Sequence, residues 1–92
     1  HRVVISSGIH GNETAPMEIV DGLINDIASG ALQVANDLLF IIGNPPAVVN
    51  ESRFVEENLN RLFSGKHVGR ENQEAGRAAL LEQLVEEFFE IT

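Results

Sequence analysis

The chain has 92 residues, enough for one small domain, and its 43% hydrophobic and 22% charged residues are the proportions of a globular chain rather than a disordered one. Six Lys and Arg stand against 14 Asp and Glu, a net charge of −8; this argues against non-specific nucleic-acid binding and against a polybasic membrane contact, which both need a basic footprint. Cysteine is absent, so disulfides, cysteine zinc sites and thiol nucleophiles are excluded, any metal must be held by His, Glu or Asp, and a reducing, cytoplasmic setting is expected.

The first predicted element is a strand. Val3-Val4-Ile5 is a β-branched run, and Ser6-Ser7-Gly8 leads it into the glycine-framed segment Ile9-His10-Gly11-Asn12-Glu13. A helix follows, with Thr14 at its N-cap, Pro16 in the first turn where a missing N–H costs little, and Ser29-Gly30 at its end. Met17, Val20, Ile24 and Ile27 recur near the helical period and make one apolar stripe. Leu38 to Ile42 is an unbroken apolar run, far too short to cross a bilayer, and reads as a parallel strand buried on both faces. Gly43-Asn44-Pro45-Pro46 stops it. Strand, helix and strand over residues 3–42 form a βαβ unit with a right-handed crossover.

Residues 47–70 read mainly as an ordered loop, in which Phe54-Val55 and Leu59, Leu62 and Phe63 can make one or two short helical turns. His67, beside Lys66, is expected to face solvent. A last helix is predicted from Glu71 to Glu90, with Leu81, Leu84, Val85 and Phe88 on its buried face and Glu82, Glu86, Glu87 and Glu90 on its wet one. Two strands do not make an independently stable sheet. Both look central and nothing else in the chain can flank them, so residues 1–92 read as one incomplete domain, a piece of a larger α/β fold.

His10 and Glu13 lie three residues apart at the carboxyl end of the first strand, the edge at which α/β folds bind ligands. An imidazole and a carboxylate suit Zn²⁺ in a hydrolase, with positions left for water. The plainer alternative is a surface loop that happens to hold one His and one Glu. The second cluster is Arg53 with Asn60 and Arg61. Arginine is the planar, bidentate donor that a substrate carboxylate wants, Asn adds a neutral donor, and another Arg can stabilise an oxyanion. The alternative is a solvated face on which the arginines pair with Glu56 or Glu57. No G-x-S-x-G elbow, dinucleotide fingerprint or Walker A lysine is present.

Taken in order and spacing, VVISSGIHGNETAP, LLFIIGNPPAV and RFVEENLNRLFSG make the chain resemble the succinylglutamate desuccinylase/aspartoacylase family of zinc-carboxypeptidase-like hydrolases. The resemblance spans nearly the whole chain, and GIHGNETAP and GNPPA are closest in wording to the bacterial desuccinylase branch. It implies a fragment of a three-layer α/β domain in which His10 and Glu13 are two of three ligands to one Zn²⁺. It also implies that Arg53 polarises the scissile carbonyl and that Asn60 and Arg61 clamp a substrate carboxylate. The third ligand, a His on a strand reached through the last helix, and the general-base Glu are implied to lie beyond residue 92. At Asn58 the chain departs from relatives of the aspartoacylase kind, which carry an Asp there; this puts a carboxylate behind the metal ligand in doubt. The implied reaction is zinc-assisted hydrolysis of N-succinylglutamate to succinate and glutamate, in arginine breakdown, with a Glu moving the water's proton to the leaving amine. The alternatives are an aspartoacylase-like deacylase of another N-acyl amino acid, and a fragment without catalysis. The partner expected is a small N-acyl amino acid, not nucleic acid or membrane, and the isolated chain is expected to be inactive.

Overall fold

Two strands running side by side organise the chain. In the computed structural model, which describes residues 1–90, β1 (Arg2–Ser7) and β2 (Asp37–Ile42) pair in parallel, with Val3 opposite Leu38 and Ser7 opposite Ile42. Helix α1 (Ala15–Ser29) makes the crossover between them, as the strand–helix–strand pattern predicts. Thr14 occupies the N-cap position of α1, but its side chain makes no capping bond. At the other end Gly30 takes the left-handed conformation, φ 84°, and its N–H reaches the Ile27 carbonyl, the conformation that glycine adopts at lowest cost.

The prolines after β2 do more than end it. Pro45 and Pro46 open a five-residue helix, α2 (Pro45–Val49), where the sequence pattern shows only a stop. First-turn positions need no N–H partner, so both rings are tolerated there. A short 3₁₀ turn follows at Leu59–Arg61, within the stretch expected to make helical turns, and α3 (Gln73–Glu90) closes the chain.

The core gathers around that 3₁₀ turn. Leu59, Leu62, Ala75, Ala78 and Leu81 are buried, with Ile9, Ile41 and Phe63 packed against them. This corrects the buried face expected for the last helix. Its buried residues are Glu74, Ala75, Ala78 and Leu81, whereas Leu84 is 41% exposed and Val85 and Phe88 are half-buried. The 3₁₀ turn packs on the N-terminal half of α3, and that half is therefore the one covered. Ile41 faces this core, while Ile42 stands beside Met17 of α1 at Gly8. Neighbouring strand residues point to opposite faces, so α3 and α1 lie on opposite sides of the strand pair and the arrangement has three layers.

β2 is less covered than an apolar run buried on both faces implies: Leu38 to Ile41 are half-buried and Ile42 is 51% exposed. The stripe of α1 is likewise only partly covered, with no residue of that helix fully buried. Among the described residues β1 and β2 pair only with each other, and no helix is long and apolar enough to cross a membrane.

Candidate active site

The carboxyl ends of both strands feed one cluster of loops. The β1–β2 ladder continues past the strands through Gly43 N–H to Ser7 O, 2.7 Å, and Asn44 N–H to Gly8 O, 2.8 Å. The two chain exits therefore leave together. His10 follows the first and α2 follows the second. The His10 loop then lies directly on α2: a Cβ built on Gly11 would stand 2.1 Å from the Ala47 carbonyl carbon and 2.2 Å from its oxygen. Only a residue without Cβ fits, because what it meets is backbone and cannot swing aside. Gly11→Ala is expected to destabilise the full-length protein by at least about 3 kcal/mol, the upper part of the usual overpacking range, read as a loss of denaturation midpoint.

His10 and Glu13 turn toward each other, with His10 Nδ1 2.5 Å from Glu13 Oε2. The other ring nitrogen of His10 is held from behind. Asn58 Oδ1 lies 2.9 Å from His10 Nε2 and 3.1 Å from the backbone nitrogen of Asn60. A backbone N–H can only donate, so the Asn58 atom that receives it is the carbonyl oxygen; facing the same oxygen, Nε2 must donate as well. In a neutral imidazole this leaves the Nδ1 lone pair aimed at the Glu13 carboxylate. At 2.5 Å the two atoms form a hydrogen bond, whose proton a cation would replace; one imidazole with one carboxylate is a donor set that suits zinc. The residues present thus fit a share of such a centre. They do not complete one: among the described residues no group of three or more His, Asp or Glu side chains is placed to hold a metal ion.

The departure at Asn58 thereby acquires a definite geometry. The Asn58 amide oxygen, in place of the carboxylate the resemblance leads one to expect, accepts the hydrogen bond from His10 Nε2–H. The same oxygen caps the 3₁₀ turn bearing Asn60 and Arg61. One atom thus ties the His10 loop to the second cluster. Arg53 joins from the other side, its carbonyl accepting from Gly11 N–H at 3.4 Å. The backbone of all the expected site residues is brought to the same edge, as parallel strands require. The side chains of Arg53, Asn60 and Arg61 are exposed there. Among the described residues neither arginine pairs with a carboxylate; Glu57 is instead engaged by Arg70 and Asn72.

Two features escaped the sequence pattern. Glu74 is completely buried. Its carboxylate accepts from Asn44 Nδ2 at 2.9 Å and from three successive backbone N–H groups, Val55 at 2.8 Å, Glu56 at 2.9 Å and Glu57 at 3.0 Å. Burial pushes this carboxyl up, but the Asn44 bond and the bonds from Val55, Glu57 and Glu56 outweigh it and hold the group below the ordinary Glu value. The signal was available: Glu74 lies four and seven residues before Ala78 and Leu81, on the stripe that α3 buries. The second feature is His67, half-buried rather than facing solvent, with Nε2 2.7 Å from Glu82 Oε2. Glu82, expected on the wet face, also takes Gly65 N–H at 3.2 Å. The His67 bond, opposed by burial and helped by the Gly65 and Ser64 amides, lowers its pKa. Histidine and glutamate are 15 residues apart here, so no local pattern shows the pair.

Residues 1–92 match throughout the family model described as the succinylglutamate desuccinylase/aspartoacylase catalytic domain. The chain belongs to that family. It is 55% identical over 91 residues to the succinylglutamate desuccinylase of Shewanella amazonensis, covering 96% of this chain and 26% of that protein. The crystal structure of the succinylglutamate desuccinylase from Chromobacterium violaceum superposes with a TM-score of 0.91 at 46% identity, over 96% of this chain and 28% of that one. That from Vibrio cholerae gives 0.91 at 48% identity, over 99% and 26%. The chain thus spans about a quarter of the length of the relatives it matches. At these identities and coverages the shared backbone includes the loop cluster at the strand ends.

Proposed function

We propose that the full-length protein containing this chain is a zinc-dependent hydrolase that cleaves N-succinylglutamate to succinate and glutamate. The observation that carries this is the convergence of His10 Nδ1 and Glu13 Oε2, with the tautomer of His10 fixed by Asn58, in a chain whose relatives bear the desuccinylase name. His10 and Glu13 would hold the metal, completed by a His outside residues 1–92. When bound, zinc supplies a Lewis acid for the amide carbonyl and lowers the pKa of a water toward neutrality. The chain's own residues do the rest of what is encoded here. Arg53 stabilises charge that develops on the carbonyl oxygen, and Asn60 and Arg61 hold a substrate carboxylate through a neutral and a bidentate donor. A Glu general base, also outside residues 1–92, moves the proton to the leaving amine. The setting proposed is arginine breakdown in the cytoplasm.

The test is an assay of the full-length protein and of the 92-residue chain on N-succinylglutamate and N-acetylaspartate, with metal analysis. The full-length protein is expected to release glutamate from the first substrate, to lose that activity to a chelator, and to regain it with zinc. The short chain is expected to be silent, because a catalytic zinc needs three protein ligands. Preference for N-acetylaspartate would assign an aspartoacylase-like deacylase instead, and turnover by the short chain would move the site elsewhere.

A further inference from the structure

We propose that Glu74 is a positioning residue for the substrate-binding loop: its carboxylate fixes the backbone of residues 55–57 and so places Arg53 on one side and the Asn60–Arg61 turn on the other against the His10 loop. The consequence for turnover rests on the roles proposed above for Arg53, Asn60 and Arg61; the consequence for loop conformation does not.

A carboxylate buried without a cation is an expensive way to fill space. No Lys, Arg or His is bonded to Glu74 among the described residues; its charge is met by N–H dipoles alone. Three of these donors come from consecutive residues, the concave backbone arrangement that surrounds an anion. Consecutive amides converge in this way only when the chain is held in one irregular conformation, so the carboxylate specifies the loop as well as anchoring it.

The three amides lie between the two points where the loop meets the His10 segment. On one side Arg53 O takes Gly11 N–H. On the other Asn58 Oδ1 takes His10 Nε2–H and Asn60 N–H. Glu74 grips the span between them. The helix it stands on is itself tied to the strand end, because Arg77, one turn further along, donates from Nε to Gly43 O at 2.7 Å and from Nη2 to Ile42 O at 2.7 Å. In return Glu56 Oε1 accepts from Gln73 N–H at 2.9 Å, at the start of α3. Strand β2, helix α3 and the loop are therefore braced against one another, and Glu74 is the member that touches the loop.

The experiment compares wild type, Glu74→Gln, Glu74→Asp and Val20→Ala in the full-length protein. Val20 is half-buried on α1, on the opposite side of the strand pair from α3, so Val20→Ala loosens packing without opening the core that holds Leu59 and Leu62. Hydrogen exchange over residues 53–61 reads the conformation directly. Zinc content, kcat and KM for N-succinylglutamate read its consequence. Glu74→Gln replaces an acceptor with a donor facing backbone N–H groups. It is expected to deprotect residues 53–61 while keeping bound zinc, and to lower kcat/KM between roughly 10- and 100-fold, the scale set by misplacing substrate by an ångström. Glu74→Asp keeps the charge and is expected to fall between; if the Gln variant does not fold, the Asp variant carries the comparison. Val20→Ala is expected to keep residues 53–61 protected below its transition. Unchanged exchange over 53–61 in the Glu74 variants, or equal deprotection in Val20→Ala, would overturn the positioning role. Deprotection without any hydrolysis of N-succinylglutamate by wild type would uphold that role and reject the proposed substrate.

Discussion

Alanine at His10 is expected to strip both metal and turnover from the full-length protein. In the proposed role the imidazole offers its Nδ1, and among the described residues Glu13 is the only acidic or basic side chain bonded to it. In the proposed zinc site, loss of the imidazole leaves at most two protein ligands, and each vacated position goes to water. The reserve at stake is large, since metal coordination lowers the pKa of a bound water far toward neutrality. A loss in kcat/KM of at least about 10³-fold is expected, together with substoichiometric zinc by metal analysis. Asn58→Ala gives the graded counterpart. It leaves every ligand in place but frees the His10 ring, and a fall of about 10- to 100-fold in zinc affinity is expected, as for other partners that orient a metal-binding histidine. A His10→Ala protein that retained both metal and activity would remove this loop from the site.

The sequence pattern reached the strand pairing and the site edge for a simple reason. Val3-Val4-Ile5 and Leu38–Ile42 are runs of a single chemical character, and hydrophobic periodicity reports on such runs. Parallel pairing then forces both carboxyl-end loops to one edge, so His10 and the segment from Arg53 to Arg61 were bound to meet. What stayed hidden depends on contacts between distant residues. Pro45-Pro46 ends a strand equally well whether a loop or a helix follows. Leu84 and Phe88 lie on an apolar stripe, but packing chose the end of α3 at which Leu59 and Leu62 arrive. Glu74 reads as exposed because it is polar, against the signal of its spacing to Ala78 and Leu81; the three amides and Asn44 make its buried carboxylate tolerable. His67 and Glu82 each read as surface for the same reason; the fold brings them together.

Arg53 and Arg61 should separate cleanly in steady-state kinetics, although they sit on one loop and carry the same charge. Arg61 belongs to the 3₁₀ turn capped by Asn58; in the proposed role it meets a carboxylate that is charged in substrate and transition state alike. Its contribution is uniform binding, so Arg61→Ala is expected to raise KM with kcat nearly unchanged. Arg53 in its proposed role meets an oxygen that becomes an anion only as the reaction proceeds. Removing a donor of that kind costs roughly 10²–10³-fold in kcat and leaves substrate binding close to intact. Neither side chain is engaged by a carboxylate among the described residues, so neither substitution strands a buried partner and both variants should fold. Lysine in their place sharpens the distinction. At Arg61 it keeps the charge but loses the bidentate fork, and Arg61→Lys is expected to recover only part of the KM defect. At Arg53 a point charge suffices for a single oxyanion, and Arg53→Lys is expected to recover kcat more fully. If instead Arg53→Ala raised KM alone and Arg61→Ala lowered kcat, the two roles would be exchanged. The oxyanion site would then lie on the Asn58-capped turn that shares an atom with His10.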